Sequence, residues 1–467
     1  MTANGKVKDY YTYSFWLDTC GDDLTPRPAL DGPTEVDVAI LGAGFTGLWT
    51  AYHLLRRDPS LSVLVVEKEI AGFGASGRNG GWCCADFPAG IPHLIEHYGR
   101  DAARAVMLAM IDSVDNVGAV CAAEGIDAHY AKGGELDIAR APYQLPLLEA
   151  TWKEYDSIGL GDQMELLDAA QTAERARVNG AIASSWTRPA ARVQPARLAR
   201  GLARAVERHG GRIVEQTSVL DYAGGETPRL FTDRGDVRAR RAIVLAGEAY
   251  LSRLPKLRRH VIPMTSHMVV TAPLSPEIWD QIGWQHCDVM VGNGSDGGYL
   301  NHTADGRIAF GAYRAVYPFN SKITDALDRQ EDVFTHARAA ARNWFPMLRD
   351  VAFTHAWGGV FGVPRDHMPT MGFNPRTKVA LAFGYTGEGV ATSNLSGRVL
   401  TDLLTGSDSD LTRLPMTAHQ PQVWEPEPLR SVGVNLMRRA RYQQTAEAER
   451  TGVFPDKPPI YARLLDR

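Results

Sequence analysis

The stretch VDVAILGAGFTGLWTAYHLL, residues 36–55, decides how the rest of the chain is read. Val36 to Leu41 is a short apolar run of the kind buried on both faces in a parallel sheet. The turn Gly42-Ala43-Gly44-Phe45-Thr46-Gly47 follows at once, and then Leu48, Ala51, Tyr52 and Leu55 recur at helical spacing. In a strand–turn–helix of this kind the glycines allow the tight turn and bring backbone N–H groups against a pyrophosphate at the helix N-terminus. A second apolar strand, Val63 to Val66, runs into Glu67 and Lys68; Glu67 lies where a carboxylate can accept from a ribose 2′-hydroxyl. Together these parts predict a β-α-β unit that binds a dinucleotide, and an acid at that point disfavours NADP.

Working outward, a second glycine-rich run spans Gly72 to Gly81 and includes Gly74, Ala75, Ser76, Arg78, Asn79 and Gly80. It offers consecutive N–H groups, a hydroxyl, a guanidinium and an amide to phosphate and ring edges; the plain alternative is a surface loop. A third piece, Phe383 to Val390, carries Thr386, Gly387, Glu388 and Gly389 between a strand and a helix. A helix N-terminus there would stabilise negative charge on a bound ring system. Two glycine motifs beyond the first favour FAD over NAD.

Composition bounds the remainder. A chain of 467 residues exceeds one compact core. With 44% hydrophobic and 22% charged residues it reads as globular, and a net charge of −4 gives no reason to expect a nucleic-acid partner. Cys20, Cys83, Cys84, Cys121 and Cys287 are scattered without a C-x-x-C pair, which argues against a disulfide framework and a metal site. Met1 to Tyr13 lacks a secretory signal and no run of about 18 apolar residues is present, so a cytoplasmic location away from the membrane is expected.

The first residues (Tyr10, Tyr11, Tyr13, Phe15, Trp16) read as an arm packed on the body. Helices are expected at 96–125, 195–209, 323–345 and 388–404, strands at 212–221, 241–246, 267–272 and 378–383, and a hairpin around Ala304-Asp305-Gly306. A Pro-rich stretch at 421–428 precedes a basic, helix-like tail (Arg438, Arg439, Arg441). The fold class is α/β, α+β overall: a Rossmann-like FAD-binding domain interleaved with a mixed or antiparallel-sheet substrate domain. The expected partition is 1–32 arm; 33–95, 190–255 and 350–405 FAD-binding; 96–189 and 256–349 substrate; 406–467 C-terminal extension.

Three glycine pieces in this order resemble the FAD-dependent D-amino-acid oxidase, glycine oxidase and sarcosine oxidase superfamily, most nearly its gamma-glutamylputrescine oxidase-like branch. The segments SFWLDT (14–19), GASGRNGG (74–81), RAIVLAGEAY (241–250), WGGVFGVPRDHMPTMG (357–372) and GYTGEGVATSNLSGRVLTDLL (384–404) carry that likeness along most of the chain. It implies FAD as cofactor, with Val219 meeting adenine through its backbone and Ala246 and Gly247 beside the flavin. It further implies hydride transfer from the carbon bearing nitrogen, oxygen as acceptor, and no obligatory acid–base side chain. A cap over the flavin is expected to hold His267, Tyr299, Tyr313, Trp357 and Tyr385.

Departures from the family sharpen the expectation. Relatives hold a substrate carboxylate with an arginine or a lysine; the matching positions here are Phe361 and Ala391. An unpartnered buried carboxylate is costly, so the substrate is expected to be an amine without a carboxylate beside the reacting C–N bond. Gly358 and Gly359 stand near the point where some relatives attach flavin through cysteine, so FAD is expected to be non-covalent. Glu388 replaces a common histidine and either attracts an ammonium group or complements the helix dipole. Cys83-Cys84 reads as buried and apolar, and Arg365-Asp366 as a turn-stabilising pair. An FAD dehydrogenase passing electrons to a quinone or carrier, and a flavin-bearing tRNA-modifying protein, remain open alternatives.

Overall fold

The computed structural model describes residues 8–284, 286, 288–455, 457 and 459. An eight-stranded sheet grows from the quoted stretch: Thr34–Leu41 pairs in parallel with Val63–Val66 on one side and Gly235–Leu245 on the other. Arg212–Val214 extends it beyond Val63–Val66, and Val379–Phe383 joins Gly235–Leu245, both in parallel. Val219–Ala223 and Arg229–Thr232 add an antiparallel edge on the first half of Gly235–Leu245, and Thr370–Asn374 pairs with Val379–Phe383. Helices Phe45–Arg57, Arg100–Glu124, Pro195–Arg208 and Gly389–Thr405 bury one continuous apolar face (Leu48, Leu55, Met110, Val117, Leu202, Leu395 among others) against this sheet.

A second eight-stranded sheet runs in the order Phe353–Val363, Ile262–Thr271, Ile308–Val316, Gly298–His302, Val289–Gly292, Glu135–Ala139, Ala183–Thr187, Met164–Asp168. All its pairings are antiparallel except Val289–Gly292 with Glu135–Ala139. One face packs Leu136, Ile138, Met290, Leu300 and Phe310 against helix Glu331–Trp344. The other face looks toward the first sheet. A small three-stranded sheet (Trp82–Cys84, Ala190–Arg192, Ala131–Lys132) lies off both.

Several elements differ from the sequence reading for identifiable reasons. The 212–221 strand is split because Glu215 turns into the core, accepting from the backbone N–H of Arg27 (2.6 Å) and Ala71 (2.8 Å). The 323–345 helix begins only at Glu331, since Asp328 is drawn into an ion pair with Arg78 at 2.6 Å. Gly99, at φ +85°, separates Gly90–Tyr98 from Arg100–Glu124. The expected partition also shifts. Phe353–Val363, placed with the FAD-binding spans, pairs in the second sheet, while Arg100–Glu124, placed with the substrate spans, packs in the first core. Arg100–Glu124 is long and apolar enough to cross a membrane by length and composition, yet its Val106, Met110, Val114 and Val117 are buried in that core.

Candidate functional site

Between the two large sheets lies a cavity of about 1890 Å³, more than one small ligand needs. At one end it is lined by Gly42, Gly44, Phe45 and Thr46, by Glu67 and Lys68, and by Val219, Ala246 and Gly247. Gly47 stands behind this wall: a Cβ there would lie 2.0 Å from Gly42 O, so its bare backbone is what lets the turn close. Glu67 Oε2 accepts from Ala43 N and Oε1 from Glu69 N, both at 2.9 Å. Burial outweighs those bonds and pushes its carboxyl up to about 7.

The second glycine run meets the first through Ser76, whose Oγ accepts from Phe45 N at 2.8 Å. Gly74 to Gly80 line the cavity except Gly77; Gly81 does not, being closed in by Asn301 and the Val193 carbonyl. Arg78 departs from the expected phosphate role. Its guanidinium pairs with Asp328 and lies over the Phe73 ring at 4.2 Å. The N-terminal arm accounts for the loop's rigidity: Trp16 Nε1 donates to Asn79 O (2.7 Å) and Ser14 Oγ to Gly77 O (2.7 Å). Trp357 Nε1 completes the brace by donating to Arg78 O at 2.9 Å.

The third piece, Thr386 to Val390, closes the cavity from the first sheet. Glu248, at φ +46°, accepts from Gly384 N (3.0 Å) and Tyr385 N (3.2 Å), fixing this turn against the RAIVLAGEAY strand. The Tyr385 ring borders the cavity, but its hydroxyl engages Ser396 Oγ and Thr46 Oγ1, each at 2.9 Å, and so ties the two long helices together.

Strand alternation sorts the expected cap residues. Met264, Ser266 and Met268 face the cavity; His267 faces the other way, with Nε2 on Leu327 O (2.7 Å) and its ring against Phe334. Trp357 is likewise spent on Arg78 and the arm. Neither lines the cavity, which corrects the expectation for both. Tyr299, Tyr313 and Phe361 do line it, with Trp82 edge-on to Tyr299 at 6.2 Å and Tyr299 Oη bonded to Ser266 Oγ at 2.6 Å. Glu388 borders the same space, and burial together with Asp86 pushes its carboxyl up to about 8. Asp137, on the strand Glu135–Ala139, is pushed up to about 7 by burial and by the same Asp86.

Arg365 pairs with Glu425 at 3.2 Å and Asp366 with His419 at 3.1 Å. Cys83 and Cys84 are buried, off the cavity, with burial raising both thiols. Cys287 lies outside the described residues. Sequence reasoning missed Tyr250, Ser266, Met264 and the whole C-terminal helix Leu429–Thr451, all of which reach the cavity. The parity of residues 262–271 was the available signal for Met264 and Ser266; the helix carried none, because its apolar spacing is weak.

The fit to a dinucleotide cofactor rests on two helix starts. Phe45–Arg57 begins at Gly44 and Gly389–Thr405 at Glu388, neither with a side-chain cap, and both starts border the cavity. Uncapped N–H groups at such ends suit negative charge. The geometry defines a dinucleotide-binding fold with a second sheet roofing its cavity. Residues 37–403 match the model of the FAD dependent oxidoreductase family, and the chain belongs to that family; it is an FAD-dependent oxidoreductase.

Similarity extends to gamma-glutamylputrescine oxidoreductase of Escherichia coli K12, 28% identical over 418 residues, covering 88% of this chain and 93% of that protein. The probable oxidoreductase OrdL of Haemophilus influenzae is 26% identical, covering 85% and 89%. Glycine oxidase of Geobacillus kaustophilus superposes with a TM-score of 0.68 at 20% identity, covering 83% of this chain and all of that one. Iminodiacetate oxidase of Chelativorans sp. BNC1 gives 0.63 at 18% identity, covering 82% and 98%. Those two structural likenesses establish the fold.

Proposed function

We propose that this chain is an amine oxidase: it removes a hydride from the carbon bearing an amine, giving an imine that hydrolyses to aldehyde and ammonia or amine, while O2 is reduced to H2O2. Bound FAD supplies the hydride acceptor. Gly42, Gly44, Phe45, Thr46, Glu67, Gly74, Ala75, Ser76, Arg78, Asn79, Gly80, Val219, Ala246, Gly247 and Thr386 to Val390 are the residues assigned to hold it. The chain's own contribution is to desolvate and orient the amine. Tyr299, Tyr313 and Phe361 wall out water, and the Glu388 carboxyl offers a hydrogen-bonding or, when ionised, a charged partner for the nitrogen.

One observation carries the choice of substrate. Around Tyr299, Phe361 and Glu388 the cavity wall is aromatic and carboxylic, with Phe361 where a carboxylate-binding arginine would stand and Ala391 buried in the first helical turn. A carboxylate beside the reacting carbon would sit there without a counter-charge, next to acids. The substrate is therefore an amine lacking that carboxylate. The FAD is held non-covalently, a reading supported by the position of Cys20, Cys83, Cys84 and Cys121 away from the cavity.

A panel of primary and secondary amines, with glycine, sarcosine and D-alanine beside them, tests the proposal by peroxide release. Alkyl or aryl-alkyl amines are expected to turn over with higher kcat/KM than the three amino acids. The reverse order defeats the substrate assignment. Bleaching of the flavin by amines without oxygen uptake would reassign the protein as a dehydrogenase.

A further inference from the structure

The family match ends at residue 403, yet the cavity has a wall beyond it. Helix Leu429–Thr451 borders the cavity, pinned at both ends. At its start Glu427 accepts from Tyr317 Oη (2.7 Å) and pairs with Arg430, while Trp424 Nε1 donates to Val363 O (2.9 Å). At its end Glu449 Oε1 accepts from Ser295 N at 2.7 Å. Between these anchors Arg438 and Arg441, three residues apart and so on one helix face, line the cavity, and Arg314 lines it from the strand Ile308–Val316.

These three guanidiniums form no ion pair among the described residues; Arg438 only donates to Asn435 Oδ1 at 3.3 Å. Nearby carboxylates are already engaged, Glu425 by Arg365 and Asp366 by His419. The neighbouring histidines add no charge: His367 is pushed down by burial and by Arg441 against the pull of Asp366, and His336 by burial and Arg314. The cavity thus carries fixed positive charge on its C-terminal-helix wall and a carboxyl at Glu388, on the wall formed by the third glycine piece.

We propose that the C-terminal helix is the substrate-reading element, with Arg438, Arg441 and Arg314 holding a carboxylate at the far end of the amine, remote from the carbon that is oxidised. Guanidinium groups match a carboxylate in shape and charge. A molecule with its amine at Glu388 and its anion at the helix lies along the cavity's own field. The assignment deepens the proposed amine oxidation and explains how one cavity excludes a carboxylate beside Glu388 and collects one at the C-terminal helix.

The test uses the full-length holoenzyme and R438A/R441A. KM is measured for octylamine and 8-aminooctanoate, and binding of octanoate and of uncharged octanamide is followed by perturbation of the flavin spectrum. Wild type is expected to favour 8-aminooctanoate in KM, and octanoate over octanamide in binding, by about tenfold each. Both preferences are expected to collapse in R438A/R441A and to return in part in R438K/R441K. Equal preferences in wild type, or preferences that survive the alanine substitutions, overturn the assignment. Should neither amine reduce the flavin, the amine-oxidase reading falls, and the arginine dependence of octanoate binding still decides this one.

Discussion

Glu388 concentrates the chemistry of the site into one titratable group. Its sequence context left two roles open, an ammonium partner or a helix-dipole acid, and the fold supplies the term missing from both: Asp86, brought from 302 positions away in the chain. With its carboxyl raised from 4.5 to about 8, the folded protein holds a proton there that the unfolded chain releases. Stability therefore falls as pH rises from about 4.5 to about 8, and the full penalty stands above 8. Glu388→Gln removes it: the melting temperature of the variant is expected to match wild type near pH 4 and to exceed it by about 1–3 °C at pH 9. In catalysis the sign reverses. Ionised Glu388 attracts an ammonium, so KM for a cationic amine should fall between pH 7 and 9 in wild type and lose about tenfold of that fall in Glu388→Gln. Superimposable pH profiles for stability and KM would remove Glu388 from the role. His267 and Trp357 show the opposite fate: strand parity points His267 away from the cavity, and Trp357, on the same strand face as Phe361, is spent on a long-range bond to Arg78 O.

The elements legible in the sequence were those whose cause is local. The strand–turn–helix at 36–55 announces itself because Gly42, Gly44 and Gly47 answer a backbone need, and the Ala304-Asp305-Gly306 hairpin because positive φ at Gly306 (+76°) is a local demand. Split or displaced elements had distant causes, as with Glu215 and Asp328. A repeated device joins the two cofactor loops: Gly47 and Gly77 each sit five residues after another glycine, and a Cβ would meet Gly42 O at 2.0 Å and Gly72 O at 2.3 Å. Neither carbonyl can yield without opening its turn. Gly47→Ala is expected to weaken FAD binding by about a hundredfold or more, measured by flavin titration of stripped protein. Gly433→Ala, on the C-terminal-helix wall of the cavity and outside the three glycine pieces, with nothing within 4 Å of a new Cβ, is the comparison that separates turn closure from added bulk. It should leave the affinity unchanged and add about 0.5–1 kcal/mol to stability. Yellow Gly47→Ala protein with wild-type affinity would show that the turn tolerates opening.

At the scale of the whole molecule, chain order and spatial order part company. The two sheets exchange segments repeatedly, so the expected spans misplaced Phe353–Val363 and Arg100–Glu124 although the two-domain α/β architecture was readable from the glycine motifs. What no local pattern encodes is that residues from Lys8 to Phe454 border one cavity. A ligand filling it touches both sheets, the second glycine run and the C-terminal helix, so it binds the folded chain and has no counterpart site in the unfolded one. Mass action then makes FAD a stabiliser of the entire fold: at a free concentration a thousandfold above Kd the gain is about 4 kcal/mol. Spread over the unfolding entropy of a chain this long, that is a rise in melting temperature of about 4 °C. Stripped protein is expected to melt in a single transition below the holoprotein and to climb back logarithmically as FAD is added, with AMP alone recovering only part of the shift. Two separate transitions, only one of them moved by FAD, would mean that the sheets unfold independently and that the cavity does not couple them.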